Sequence, residues 1–120
     1  MKATQFQEGY ILLIDKPKTW SSFDVVNKLR WQLKRKLQVK KIKVGHAGTL
    51  DPLATGLLVL CTGKYTKKIV GLTADHKIYT GAILLGKTTP SFDLETAYDA
   101  ELPTEHISTD MIDEVRQSFF

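Results

Sequence analysis

Gly45-His46-Ala47-Gly48-Thr49-Leu50-Asp51-Pro52-Leu53-Ala54-Thr55-Gly56 sets the terms on which the rest of the chain is read. It places one carboxylate, Asp51, among three glycines, a histidine and a proline. Pro52 restricts the residue before it to extended backbone, so Asp51 is not expected in a helix. Gly45, Gly48 and Gly56 permit tight turns and close approach of a ligand. A carboxylate posed this way can act as nucleophile or general base. On spacing alone, the commoner role is an aspartate that hydrogen-bonds its own turn. His46 is equally open: it stacks on a base or orients a phosphate, or it is an ordinary hydrogen-bonded loop histidine. No second His or Cys stands at metal-ligand spacing from it, so no metal site is expected.

Immediately upstream is the densest positive charge in the chain. Lys28, Arg30, Lys34, Arg35, Lys36, Lys40, Lys41 and Lys43 occur with no Asp or Glu between them. Most charge runs are solvated helix faces, but surface helices usually mix signs. With Trp31 set among these cations, the run reads as contact with nucleic-acid phosphates through Arg30, Lys34, Arg35, Lys40, Lys41 and Lys43. The sign reverses from Asp93 to Glu114, so the net charge of +4 understates the local field.

Moving outward, Gly9 to Asp15 is an apolar run closed by Lys16-Pro17 and reads as a strand and turn. Ser21 has Asp24 three residues on, as in a capping box. Val25, Val26, Leu29, Leu33 and Leu37 then recur at helical spacing, predicting an amphipathic helix from Phe23 to about Lys36. The glycine-bearing segment after Val44 reads as turn or loop. Gly56 to Cys61 reads as a buried strand and Thr66 to Leu72 as a short helix. Lys77 to Leu85 reads as a long strand, Thr88 to Asp93 as a polar loop and Glu95 to Tyr98 as a further short strand. Ser108-Thr109-Asp110 opens a last helix whose apolar pattern still runs at Phe119-Phe120, which predicts a truncated chain.

A chain of 120 residues suits one domain. Hydrophobic residues at 42% and charged residues at 25% are ordinary globular composition, so a packed core is expected. Cys61 is the single cysteine. It reads as a buried core thiol and gives no sign of an oxidising compartment. No apolar run approaches the ~20 residues that cross a bilayer. Met1 to Gln7 lacks the apolar core of a signal peptide. The chain therefore reads as soluble and cytoplasmic.

Tyr79 reads as a core or cross-strand aromatic, or as a ring against which a flipped base packs. Gly81-Ala82-Ile83-Leu84-Leu85-Gly86-Lys87-Thr88 satisfies the spacing of a phosphate-binding P-loop. That motif needs a strand, a flexible loop and a helix in succession. Here the intervening residues are apolar and Pro90 follows at once, so the match is judged accidental.

Together these elements resemble the tRNA T-loop pseudouridine synthases of the TruB type. Gly45 to Leu58 is similar to that family's signature around its catalytic aspartate. Asp15-Lys16-Pro17 with Ser21-Ser22, Gly63-Lys64-Tyr65-Thr66-Lys67, and His76-Lys77-Ile78-Tyr79 resemble three further elements, in the family's order. The resemblance implies an α+β fold with a mixed, mostly antiparallel sheet and packed helices. Residues 1–120 would be the N-terminal portion of the catalytic domain, without the C-terminal PUA domain of many members. It implies isomerisation of uridine to pseudouridine in the T-arm of tRNA, with no cofactor. Asp51 would be the essential carboxylate, attacking the ribose or the uracil or removing a ribose proton. His46 would brace the space left by a flipped uridine, Tyr79 would pack on the uracil, and Lys16 would support the catalytic loop at the substrate site. A later strand of the family supplies an active-site arginine, so the 120 residues alone are expected to be inactive. A non-catalytic RNA-binding module with the same fold is the alternative reading.

Overall fold

The structure is a computed structural model that describes residues 2–120. The chain forms two compact units, one running to Tyr79 and the other from Thr80 to Phe120. In the first lie α1 (Ala3–Glu8), β1 (Ile11–Lys16), α2 (Ser22–Leu37), β2 (Val44–Ala47), β3 (Gly56–Thr62), a 3-10 helix (Gly63–Lys68) and α3 (Ile69–Leu72). The second holds β4 (Lys87–Thr88), β5 (Ala100–Glu101) and α4 (Thr109–Gln117). All strand pairs among the described residues are antiparallel.

In the first unit, β3 is the central strand between β1 and β2. Leu12 pairs with Leu60, Ile14 with Leu58, and His46 with Leu60. The two-residue period of a strand sends these side chains to one face. There Leu12, Ile14, Leu58 and Leu60 meet Val25, Val26 and Leu33 of α2, with Phe6 and Ile42 completing the core. The opposite face carries Ile11, Leu13 and Leu57, which are exposed. Cys61 is fully buried, and burial pushes its thiol up.

The start of α2 follows from its capping box. Ser21 Oγ accepts from the Asp24 N–H at 3.0 Å, and Asp24 Oδ2 accepts from the Ser21 N–H at 2.8 Å. Both contacts occupy orphan donors of the first turn. The Ser21 hydroxyl, then the Ser21 N–H, hold the Asp24 carboxyl below its usual range. The apolar period keeps the helix going to Leu37, close to the expected end.

Four expectations change. Val44–Ala47 is a strand and not part of a turn, because β3 offers it a complete ladder partner. Lys77 to Leu85 is not a strand: Ile78 and Ile83 are 92% and 89% exposed, and no described backbone pairs with the segment. Strand propensity describes a residue suited to a pleated surface, and without a second strand it has nothing to act on. Glu95 to Tyr98 is not a strand: Glu95 ends a turn in which Asp93 Oδ1 accepts from Ser91 Oγ at 2.6 Å and from the Glu95 N–H at 2.9 Å. Pairing passes to Lys87 with Glu101 and Thr88 with Ala100. Finally, the polar N-terminus contains α1, anchored by one buried side chain, Phe6, whose ring lies 4.9 Å from that of Tyr10.

The last helix begins as expected at Ser108, whose Oγ accepts from the Met111 N–H at 3.3 Å. It ends at Gln117, and Phe119 and Phe120 are exposed beyond it. The P-loop spacing has no P-loop geometry: Lys87 sits in β4 and its ammonium lies 4.6 Å from the Tyr98 ring centroid. No helix among the described residues is long and apolar enough to cross a membrane.

Candidate active site

Asp51 lies on the connection from β2 to β3 and is exposed. Its Oδ1 accepts from the Leu53 N–H at 2.9 Å, and its carbonyl accepts from the Ala54 N–H at 3.0 Å. This is the self-capped turn that aspartate commonly forms. The chemistry therefore depends on how firmly the turn is held and on what remains of the carboxylate. Among the described residues no protein donor reaches Oδ2.

Other elements hold the turn by its backbone. His46 Nδ1 lies 2.8 Å from the Gly48 carbonyl oxygen. A carbonyl only accepts, so Nδ1 carries a proton and donates. Lys77 Nζ donates to the Thr49 carbonyl at 2.7 Å. Ser22 Oγ accepts from the Leu50 N–H at 2.9 Å and reaches the Leu50 carbonyl at 3.4 Å. The Pro52 carbonyl accepts from the Thr19 N–H at 2.7 Å and from Lys16 Nζ at 3.1 Å. The consecutive carbonyls of Gly48, Thr49, Leu50, Asp51 and Pro52 are thus all satisfied.

Lys16 is the most deeply placed of these supports. It is fully buried at the end of β1, and its ammonium also donates to the carbonyls of Trp20 at 2.6 Å and Pro17 at 3.1 Å. An ammonium has three donors, and all three are taken by main-chain oxygens. Its side chain thus meets the Asp51 turn at the Pro52 carbonyl. Thr19 takes a left-handed conformation, with φ 73, that turns its N–H to Pro52. Thr19, Ser22 and Lys77 were not read as site residues. Their role lies in backbone contacts that span up to 33 positions of sequence, and no residue type marks them.

Tyr79 is 55% exposed, outside any strand. The Lys77 side chain, two residues before it, bonds to the Thr49 carbonyl of the Asp51 turn. Lys34, Arg35, Lys40, Lys41 and Lys43 are exposed. Arg30 is half-buried and is used within the protein: Nη2 donates to the Val44 carbonyl at 3.1 Å and Nη1 to Asn27 Oδ1 at 3.2 Å. Lys41 and Lys43 share a surface basin of about 440 Å³ with Lys64 and Lys67. Among the described residues no group of three or more His, Cys, Asp or Glu could hold a metal ion.

The family model described as TruB family pseudouridylate synthase (N terminal domain) matches residues 34–120. A protein of Parabacteroides distasonis named tRNA pseudouridine synthase B is 57% identical over 114 residues, 95% of this chain and 48% of its own. The protein of that name from Flavobacterium johnsoniae is 56% identical over 120 residues, 99% of this chain and 52% of its own. That from Chloroherpeton thalassium is 51% identical over 112 residues, 93% of this chain and 46% of its own. The chain spans about half the length of the curated relatives it matches.

Proposed function

Since the chain belongs to the TruB family of pseudouridylate synthases, we propose that the protein carrying it converts uridine to pseudouridine in tRNA, in the T-loop at position 55. The reaction breaks the N1–C1′ glycosidic bond, turns the uracil and joins C5 to C1′. The C5 proton leaves to solvent and N1 regains a proton, so no cofactor is consumed. Asp51 is the essential carboxylate, placed against the sugar as carboxylates are in glycosidases. It acts on the ribose or the uracil, or as base for a ribose proton. His46, locked by its Nδ1 bond, braces the space the base has left. Tyr79 packs on the flipped uracil. Lys16 positions the turn. Lys34, Arg35, Lys40, Lys41 and Lys43, with the remaining donors of Arg30, face RNA phosphates. The 120 residues are the N-terminal portion of the pseudouridine synthase fold.

One observation carries this reading. The main-chain carbonyls on both sides of Asp51 are all hydrogen-bonded, while the carboxylate is exposed with one oxygen unengaged among the described residues. A structural turn needs the first condition only. Preorganised chemistry needs both.

Asp51→Asn tests it. The amide keeps an Oδ1 acceptor for the Leu53 N–H, so the urea midpoint stays within about 0.5 kcal/mol of the original. Tritium release from tRNA labelled at uridine C5 falls by roughly a hundredfold to ten-thousandfold, and tRNA affinity is retained. Release within about tenfold of the original would sink the assignment.

A further inference from the structure

Trp31 stands near the middle of α2. At 3.6 residues per turn it points about 175° away from the mean direction of Val25, Val26, Leu29 and Leu33, which face the core. Core packing therefore makes no use of it, and the side chain is 54% exposed. Its neighbours at three and four residues in each direction are Asn27, Lys28, Lys34 and Arg35. Lys28 Nζ lies 5.5 Å and Arg35 Cζ 5.3 Å from the indole centroid. Asn27, Arg30, Trp31, Lys34 and Arg35 line an open groove of about 430 Å³. The one acid of the helix, Asp24, is tied into the cap at Ser21.

An exposed aromatic ringed by cations has two explanations. In one, the contacts merely support the helix, at about 0.5–1 kcal/mol per exposed cation–π pair. That explanation accounts for the ring and not for the absence of any acid around it. The geometry points to the other: the outer face of α2 is a stacking platform for an unpaired RNA base, Trp31 taking the ring while Lys28, Lys34 and Arg35 hold the adjoining phosphates. This rests on the RNA reading above and adds a subsite to it. An aromatic surface with flanking cations suits single strands, whose bases have free faces. Duplex RNA hides its bases in a stack and offers such a helix only phosphates. The platform stands apart from the carboxylate. Trp31 is nine residues along α2 from Ser22, which holds Leu50, and at 1.5 Å per residue that is about 13.5 Å of helix axis. It therefore receives a nucleotide other than the one at Asp51.

The test uses Trp20→Phe as background, so that Trp31 is the only indole of these 120 residues; Trp20 serves Lys16 through its main-chain carbonyl, which the change retains. A short single-stranded oligouridylate should quench the Trp31 emission, and a blunt RNA duplex of equal charge should quench it much less. Trp31→Ala should weaken oligouridylate binding by roughly tenfold, and Trp31→Phe should keep most of the affinity. If anisotropy shows oligouridylate binding while Trp31 emission is unmoved and Trp31→Ala binds within about twofold, the platform is refuted and the RNA reading stands. If no RNA of either kind binds, both fail together. Polyglutamate that quenches as strongly as the RNA would overturn the platform in favour of an acidic protein partner.

Discussion

Replacing Lys16 by methionine removes one ammonium from the interior and keeps most of the side-chain volume. Three charge-assisted hydrogen bonds disappear, to Pro17, Trp20 and Pro52. At about 1.5–3 kcal/mol each, their gross value is roughly 5–9 kcal/mol. Two effects reduce that. Burying an ammonium costs several kcal/mol, which the variant recovers. The released carbonyls are also unequally stranded. Pro17 and Trp20 are exposed and can turn to water, and the Pro52 oxygen keeps the Thr19 N–H at 2.7 Å. The net loss is therefore about 2–4 kcal/mol, read as a lower urea midpoint at unchanged slope.

The kinetic consequence is more specific. On the proposed function Lys16 supports the turn, so Lys16→Met should leave KM for tRNA within about twofold and lower kcat by roughly ten- to a hundredfold as the Asp51 turn loosens. The assays are urea unfolding followed by far-ultraviolet circular dichroism and tritium release from C5-labelled tRNA. A raised KM with unchanged kcat would mean that Lys16 contacts substrate, and the positioning argument would be wrong. An unchanged midpoint would mean that the three bonds contribute nothing net.

Two other expectations concern the scaffold. Gly63 has φ +56, and a Cβ there would collide with the main-chain oxygens of Phe6 and Gln7. Gly63→Ala should therefore cost about 2–5 kcal/mol in the urea midpoint, whereas Gly71→Ala, in α3 with open space at Cβ, should be neutral or gain up to about 1 kcal/mol; equal effects would refute the packing argument. The carboxyls of Asp24 and Asp93 are held below the ordinary carboxylate value of 3.8, by the hydroxyls of Ser21 and Ser91 first. A depressed carboxyl stabilises the fold above its unfolded pKa and loses that contribution as pH falls through the folded value, so the decline should come below pH 3.8. Asp24→Asn should show a shallower loss of helix signal in that window, and identical slopes would remove Asp24 from the account.

What could be read in advance was whatever rests on neighbours in sequence. The capping box at Ser21 and the period of Val25, Val26, Leu29 and Leu33 lie within one helix, and α2 appeared where they placed it. The apolar run ending at Cys61 likewise became β3. Elements that depend on a distant partner were misjudged in both directions. Val44–Ala47 has the composition of a turn and is a strand because β3 lies beside it. Ile78 to Leu85 has the composition of a strand and is not one, because no described backbone pairs with it. Short α1 was missed because its single buried residue, Phe6, makes no period.

The candidate site divides along the same line, and the division explains its design. Asp51 and His46 stood out because side chains that do chemistry are chosen by type. The groups that pose them act on main-chain carbonyls, which every residue possesses, so their identities carry little information. Lysine in particular reads as surface charge, yet Lys16 is buried with its donors on three oxygens. Holding a catalytic turn by its backbone has a physical advantage over holding it by its carboxylate. Each donor placed on Asp51 itself would stabilise the anion and blunt it as a nucleophile or base. Donors on the carbonyls of Gly48, Thr49, Leu50 and Pro52 fix the geometry without adding to the one donor, the Leu53 N–H, that the Asp51 carboxylate already carries. That argument makes the supports separable from the chemistry: weakening Ser22 or Lys16 should lower turnover through disorder while tRNA affinity is retained.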